Sequence, residues 1–159
     1  MAPDLIDAKI LETLQRDGRA PHSAIAEAVG LSQPSVHERV KKLEQGGAIK
    51  GYHAVLDPAA LDLPVLAFIF VSFTTNTDSV WRAAVQLPNV LEAHHIAGED
   101  CLLLKVRCRA PQEIEGVLER IWDSGPVAST RTTIVFSSYK ETATLPLEGC
   151  SPESKADGA

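Results

Sequence analysis

The chain has 159 residues, 45% apolar and 23% charged, with few aromatics. That is ordinary globular composition, enough for one domain or two small ones around an aliphatic core. The net charge of −6 argues against nucleic acid as a sum, yet residues 1–53 hold seven Lys/Arg and seven Asp/Glu, so the whole deficit lies in residues 54–159, with eight and fourteen.

Leu5, Ile6, Ile10, Leu11 and Leu14 recur at the spacing of one helical face. Asp4 and Asp7 sit in the first turn of that helix, and Gly18 ends it. Pro21 suits the start of a second helix, with Ile25, Ala26 and Val29 inward and Gly30 closing it. Ser32 caps a third, with Pro34 in its first turn and Val36, Val40 and Leu43 on its buried side. Gly46-Gly47 stops it.

The stretch Ser23 to Leu43 therefore has the form of a helix-turn-helix, which places a short helix in the DNA major groove. Ala26 allows close helix approach, Gly30 supplies positive φ in the turn, and Val36 faces back to the first helix. Four basic and two acidic residues between 33 and 50 form a local basic stripe that can serve phosphates. Gln33, Ser35 and His37 lie where recognition helices meet base edges. Arg39 and Lys42 are expected to point to phosphates or guanine. Ser23 and Ser32, near helix N-termini, complete the expected DNA-contacting set.

Residues 48–56 read as a strand, and Asp57-Pro58 to Pro64 as a linker. Val65 to Phe73 is β-branched and aromatic, the mark of a buried strand. A helix is expected from Asp78 or Ser79 to Leu87, with Val80, Trp81, Ala84 and Val85 apolar. Strands are expected at Val90–Ala97 and Cys101–Arg109, separated by a tight turn at Gly98-Glu99-Asp100. A helix at Pro111–Asp123, with Ile114, Val117, Leu118, Ile121 and Trp122 inward, precedes a last strand at Ala128–Tyr139. The order β-α-β-β-α-β predicts a ferredoxin-like antiparallel sheet with two helices on one face. The other face needs cover, so a dimer through this domain is expected. The small, polar residues after Pro146 are expected to be disordered.

Cys101, Cys108 and Cys150 fit neither a disulfide framework nor a zinc site, so reduced thiols are expected. His94 and His95 are adjacent on a strand and point to opposite faces, so they do not form a metal pair. No metal and no cofactor are expected. No apolar run reaches the ~18–20 residues of a membrane span, and the N-terminus lacks a basic flank with an apolar core. A cytoplasmic protein without membrane contact is expected.

Several runs together resemble the leucine-responsive regulator/AsnC (Lrp/AsnC) family of bacterial and archaeal transcription factors. They are L-I-D-A-K-I-L-E-T-L-Q-R-D-G-R, V-G-L-S-Q-P-S-V-H-E-R-V-K-K-L-E, G-A-I-K-G-Y-H-A-V-L-D-P, A-G-E-D-C-L-L-L-K-V and G-P-V-A-S-T-R-T-T-I-V-F. The resemblance covers about residues 4–147. It implies an α+β chain: a winged helix-turn-helix DNA-binding domain at 1–53 and a hinge strand and linker at 54–64. A ferredoxin-like βαββαβ effector and oligomerisation domain at 65–147 and a tail at 148–159 follow. It further implies double-stranded DNA as partner, an amino-acid effector bound between dimers, and homodimers that assemble into octamers. The effector turn maps onto Ala97, Gly98, Glu99, Asp100 and Cys101, and family positions that affect effector response map onto His95, Thr133, Ile134 and Val135. Cys101 stands where the family often has aspartate, and Leu102 where it has tyrosine, which favours an aromatic or aliphatic amino acid over a polar one.

Physical chemistry suggests the same place. Gly98 lets backbone N–H groups approach a carboxylate, Glu99 or Asp100 can pair an ammonium, and Thr130, Thr132 and Thr133 offer hydroxyls. Two rivals are weighed: a sirohaem-decarboxylase-like enzyme of the same fold using His94, His95 and Arg107 or Arg109, and a DNA-architectural protein without an effector. A non-enzymatic regulator is the reading preferred.

Overall fold

The structure is a computed structural model that describes residues 3–75 and 78–147. The chain divides into two compact units, one of residues 1–54 with the segment from Thr142, the other of residues 55–141.

In the first unit, α1 (Leu5–Arg16), α2 (His22–Val29) and α3 (Gln33–Gln45) follow in order. Asp4 caps α1: its carboxylate accepts the Asp7 N–H at 2.7 Å, and Asp7 returns the bond to the Asp4 N–H at 3.1 Å. This reciprocal box satisfies two donors that a helix start leaves open. Ile10, Ile25, Ala26, Val36, Val40 and Leu43 form the core, as their spacing predicts, with Ile49 packed on its edge. Gly30 adopts φ 70, and the N–H of Leu31 reaches the Ala26 carbonyl at 3.0 Å. A left-handed cap of this kind suits glycine.

The strand expected at 48–56 is not formed: residues 49–57 carry no ladder. A strand needs a neighbour for its N–H and C=O groups, and the described part of this unit offers none. The expected wing is therefore an irregular segment. Tyr52 pins it, donating to Glu44 at 3.0 Å with its ring alongside Gly18. Burial first, and then Glu44, raise the Tyr52 pKa above its ordinary value. Residues 142–147 return to this unit, where the Gln15 amide grips the backbone of Leu145 from both sides: Nε2 donates to its carbonyl at 3.1 Å and Oε1 accepts its N–H at 2.7 Å.

The second unit opens with the linker from Asp57, which folds as a turn: Asp57 accepts the Ala59 N–H at 2.9 Å, and Leu63 N–H reaches the Pro58 carbonyl at 2.8 Å. It continues as β1 (Val65–Phe73), α4 (Asp78–Ala84), β2 (Val90–His95), β3 (Leu102–Cys108), α5 (Glu113–Asp123) and β4 (Val127–Ile134). The sheet is antiparallel in the order β2-β3-β1-β4, the expected ferredoxin-like arrangement. Ala67, Ile69, Val71, Leu102, Leu104, Val106 and Cys108 pack against Val80 and Ala84 of α4 and Ile114, Val117 and Ile121 of α5. Alternation puts every second residue of β1 and β3 on this face.

Four expectations are corrected. Trp81, Val85 and Trp122 are 40–45% exposed rather than inward. Each tryptophan directly follows a fully buried residue, Val80 or Ile121, and one step along a helix turns the side chain about 100° away from the core. Helix α4 ends at Ala84 rather than Leu87. Strand β2 ends at His95, and β3 spans Leu102–Cys108. Strand β4 stops at Ile134 instead of Tyr139: Ala67 pairs with Ile134, the Val135 N–H makes the last bond, to Leu66, at 2.9 Å, and β1, which begins at Val65, is too short to pair a strand out to Tyr139. Cys150 and the expected disordered tail lie outside the described residues.

Candidate functional site

Two sites are built, one in each unit. In the first, the N-terminus of α3 is organised by Ser32, whose hydroxyl accepts the Ser35 N–H at 3.3 Å and meets the Ser35 hydroxyl at 2.8 Å. Ser23, Gln33, Ser35, His37 and Lys42 are exposed. The His22 and His37 rings lie 5.4 Å apart, tilted by 50°, and tie the start of α2 to α3.

Arg39 is the correction. Its guanidinium is held by Asp4 and Asp7, each at 2.7 Å. At about 100° per residue, Arg39 lies on the flank of the Val36–Val40–Leu43 stripe that faces α1, not on the outward face. It fastens the recognition helix to the α1 capping box instead of standing free for phosphate. The Asp7 N–H, and then Arg39, hold the Asp4 carboxyl below its ordinary value; Asp4 first, then Asp7, raise the Arg39 pKa. Lys41, passed over above, is exposed on the outward face beside Lys42. The helical wheel alone could have ranked it over Arg39.

In the second unit, the turn at Ala97 to Asp100 is closed by backbone. Ile96 N–H reaches the Cys101 carbonyl at 3.0 Å, and Cys101 N–H reaches the Val71 carbonyl at 2.9 Å. Gly98 takes φ 144, a conformation that L side chains rarely adopt. Asp100 is drawn in rather than solvated: it accepts from Ser72 at 3.0 Å and from Arg131 at 2.7 Å. Ser72 also donates to the Glu99 carbonyl at 3.2 Å. The Arg131 guanidinium lies 4.0 Å over the Phe70 ring.

Arg131, Ser72 and Phe70 were missed by the sequence reading. The only signal was alternation on the last strand, which sets Arg131 between threonines of the opposite face. The register separates the expected hydroxyls. Thr130, Thr132 and Ile134 pair with Val71, Ile69 and Ala67 on the helix side, whereas Arg131 and Thr133 pair with Phe70 and Phe68 on the open face. So the three threonines do not converge. His95 shares the helix side with Leu102, and His94 the open side with Leu103. Glu99, Gly98 and Ala97 are exposed, and Cys101 is half-buried.

The open face also carries a charge network: Lys105 pairs with Glu92 at 3.1 Å and Glu141 at 2.7 Å, and Arg107 with Glu141 at 2.6 Å. Among the described residues no group of three or more His, Cys, Asp or Glu is arranged to hold a metal ion, and no helix is long and apolar enough to cross a membrane.

Residues 4–44 match the AsnC-type helix-turn-helix domain, and residues 66–145 match the Lrp/AsnC ligand binding domain. The chain is 36% identical over 146 residues to the HTH-type transcriptional regulator FL11 of Pyrococcus horikoshii, covering 91% of this chain and 97% of that one. It is 37% identical over 152 residues to the leucine-responsive regulatory protein of Haemophilus influenzae, covering 92% of each. Among solved structures it resembles a transcriptional regulator of Neisseria meningitidis in complex with L-methionine, with a TM-score of 0.86 at 30% identity over 91% of this chain and 97% of that one. It also resembles the feast or famine regulatory protein of M. tuberculosis complexed with L-methionine, with a TM-score of 0.84 at 30% identity over 91% of this chain and 99% of that one.

Proposed function

The chain belongs to the Lrp/AsnC family of transcriptional regulators, and from that premise we propose that it reads double-stranded DNA under the control of an apolar amino acid bound at the Asp100 turn. The observation that carries the effector site is the Asp100–Arg131 pair at 2.7 Å. A carboxylate and a guanidinium side by side match the ammonium and carboxylate of an amino acid. The Arg131 side chain keeps 62% of its surface exposed, so a ligand carboxylate can reach the guanidinium from solvent while Asp100 stays held by Ser72. The Phe70 ring under Arg131, with Cys101 and Leu102 in place of an acid and a phenol, favours a thioether or hydrocarbon side chain. Relatives solved with L-methionine support that choice.

The regulator acts as a homodimer built on the open sheet face, and dimers assemble into octamers with the effector between them. Phe68 and Leu103 lie on that face only partly covered, and Val55, Phe136 and Tyr139 stand fully exposed. Apolar groups so placed favour association. Ser23, Gln33, Ser35, His37, Lys41 and Lys42 contact DNA, with paired α3 helices spanning two half-sites. Effector binding biases one arrangement of the copies and so changes which operators are spanned. The site of action is the cytoplasm. The decarboxylase and effector-free alternatives find no support: the relatives named above are transcriptional regulators, and the second unit matches a ligand-binding domain.

Calorimetric titration with L-methionine, L-leucine, L-phenylalanine and L-aspartate tests the effector reading. Binding of one of the first three, lost in Asp100→Asn and Arg131→Ala, is expected. Binding of L-aspartate alone, or affinities untouched by both variants, overturns it.

A further inference from the structure

The second unit is acidic, and most of its cations are committed. Arg82 pairs with Asp78, Lys105 with Glu92 and Glu141, Arg107 with Glu141, and Arg131 with Asp100. Among the described residues of this unit, the side chains of Arg109, Arg120 and Lys140 have no carboxylate partner. Two of these three, Arg109 and Arg120, line one groove of about 580 Å³ between α5 and the loop before β2. Of the groove's other charges, Arg107 is held by Glu141 at 2.6 Å, while Glu113 accepts the Arg109 backbone N–H at 3.0 Å and keeps its negative charge at the groove's edge.

A second observation is Gly116, inside α5 and on the groove wall. A glycine within a helix costs about 1 kcal/mol relative to alanine. Here no neighbour requires it, since an added Cβ would meet nothing within 4 Å. Its effect is to leave the groove open between Glu113 and Arg120, one turn to either side. Leu87, Leu91 and Val117 supply an apolar wall, and Gln112 an amide.

We propose that this groove binds a small organic oxyanion, a carboxylate or phosphate on a short apolar stem, with Arg109 and Arg120 as its clamp. Free guanidinium forks match such groups in geometry and charge. The groove takes residues around Asn89 and Arg109, whereas Asp100 sits at the opposite end of β3. The ligand thus gives the regulator a second chemical input, one that needs no ammonium.

The test is calorimetry on the full chain with two probes, inorganic phosphate and 4-methyl-2-oxopentanoate. Saturable binding of one of them is expected, and which one binds decides between the two sources of oxyanion. Arg109→Gln and Arg120→Gln should each weaken it roughly tenfold, the loss of a charge-assisted bond. Gly116→Leu should abolish it by filling the groove, while Gly116→Ala raises helix stability and keeps binding. L-Methionine affinity should be unchanged in every variant. Failure of both probes to bind up to ~10 mM, or equal binding by the arginine variants, overturns the proposal. So does a change of oligomeric state in those variants without anion binding, which would mark the groove as a contact between copies.

Discussion

Arg39 shows how one side chain changes meaning when its neighbours are known. Its two carboxylate partners at 2.7 Å include Asp7, which is only 4% exposed. Arg39→Ala strands a buried acid, and because Arg39 and Asp4 keep some solvent, the loss should be about 1–3 kcal/mol rather than more. Lys42→Ala is the contrasting case: thermal stability should hold while DNA affinity falls and the log–log salt slope drops by roughly one unit. Melting curves and salt-dependent DNA binding on both variants check this. Equal melting temperatures for wild type and Arg39→Ala would remove the fastening role. Acid provides an independent check. Asp4 titrates below its ordinary value of 3.8, so its contribution is present above that pH and is lost as pH falls through the lowered value. Weakened packing of α1 on α3 is therefore expected only below about pH 4, read by circular dichroism.

At the scale of elements, the open sheet face is held by charge as well as by apolar groups. Lys105 and Arg107 keep 16% and 12% of their side chains exposed, and both lean on Glu141. Glu141, and less so Glu92, raise the Lys105 pKa; Lys105 first lowers both Glu92 and Glu141. The lysine contribution is complete below 10.5 and fades as pH rises beyond it, whereas the glutamate contributions fade as pH falls below 4.5. Glu141→Gln should remove about 1–2 kcal/mol at neutral pH and flatten both limbs, measured by denaturant unfolding across pH. The turn between α2 and α3 is tested at Gly30, where φ is 70. Gly30→Ala should cost about 1 kcal/mol and weaken DNA binding by misplacing α3. A DNA affinity equal to wild type would show that the turn tolerates a side chain without moving the helix.

For the whole molecule, Val55, Phe136 and Tyr139 are fully exposed, and the proposed dimer is expected to cover them. Phe136→Ser should shift sedimentation towards monomer and reduce affinity for a two-half-site operator far more than for a single half-site, because linked reading heads gain from effective concentration. The element order and both cores were legible in the chain, since period-3.6 and period-2 patterns report burial directly. Helix α3 buries Val36, Val40 and Leu43, as their spacing predicts. Element ends were less legible. Strand β4 stops two residues short of the end of β1 at Val65, and residues 49–57 stay irregular for want of a partner, facts that belong to neighbours rather than to the segments themselves.

The helix-turn-helix was determined by the sequence alone, because Ala26, Gly30, Ser32 and Val36 act within one short stretch through local sterics and capping. So was the order of the sheet's elements. Only the tertiary structure decided which charges are free. Arg39 meets Asp4 and Asp7 across 35 and 32 positions, and Asp100 meets Arg131 across 31. Pairing at such separations depends on how helices and strands pack, and no local pattern carries it. That difference ties Arg39 to the start of α1 and brings Arg131 to the turn at Asp100.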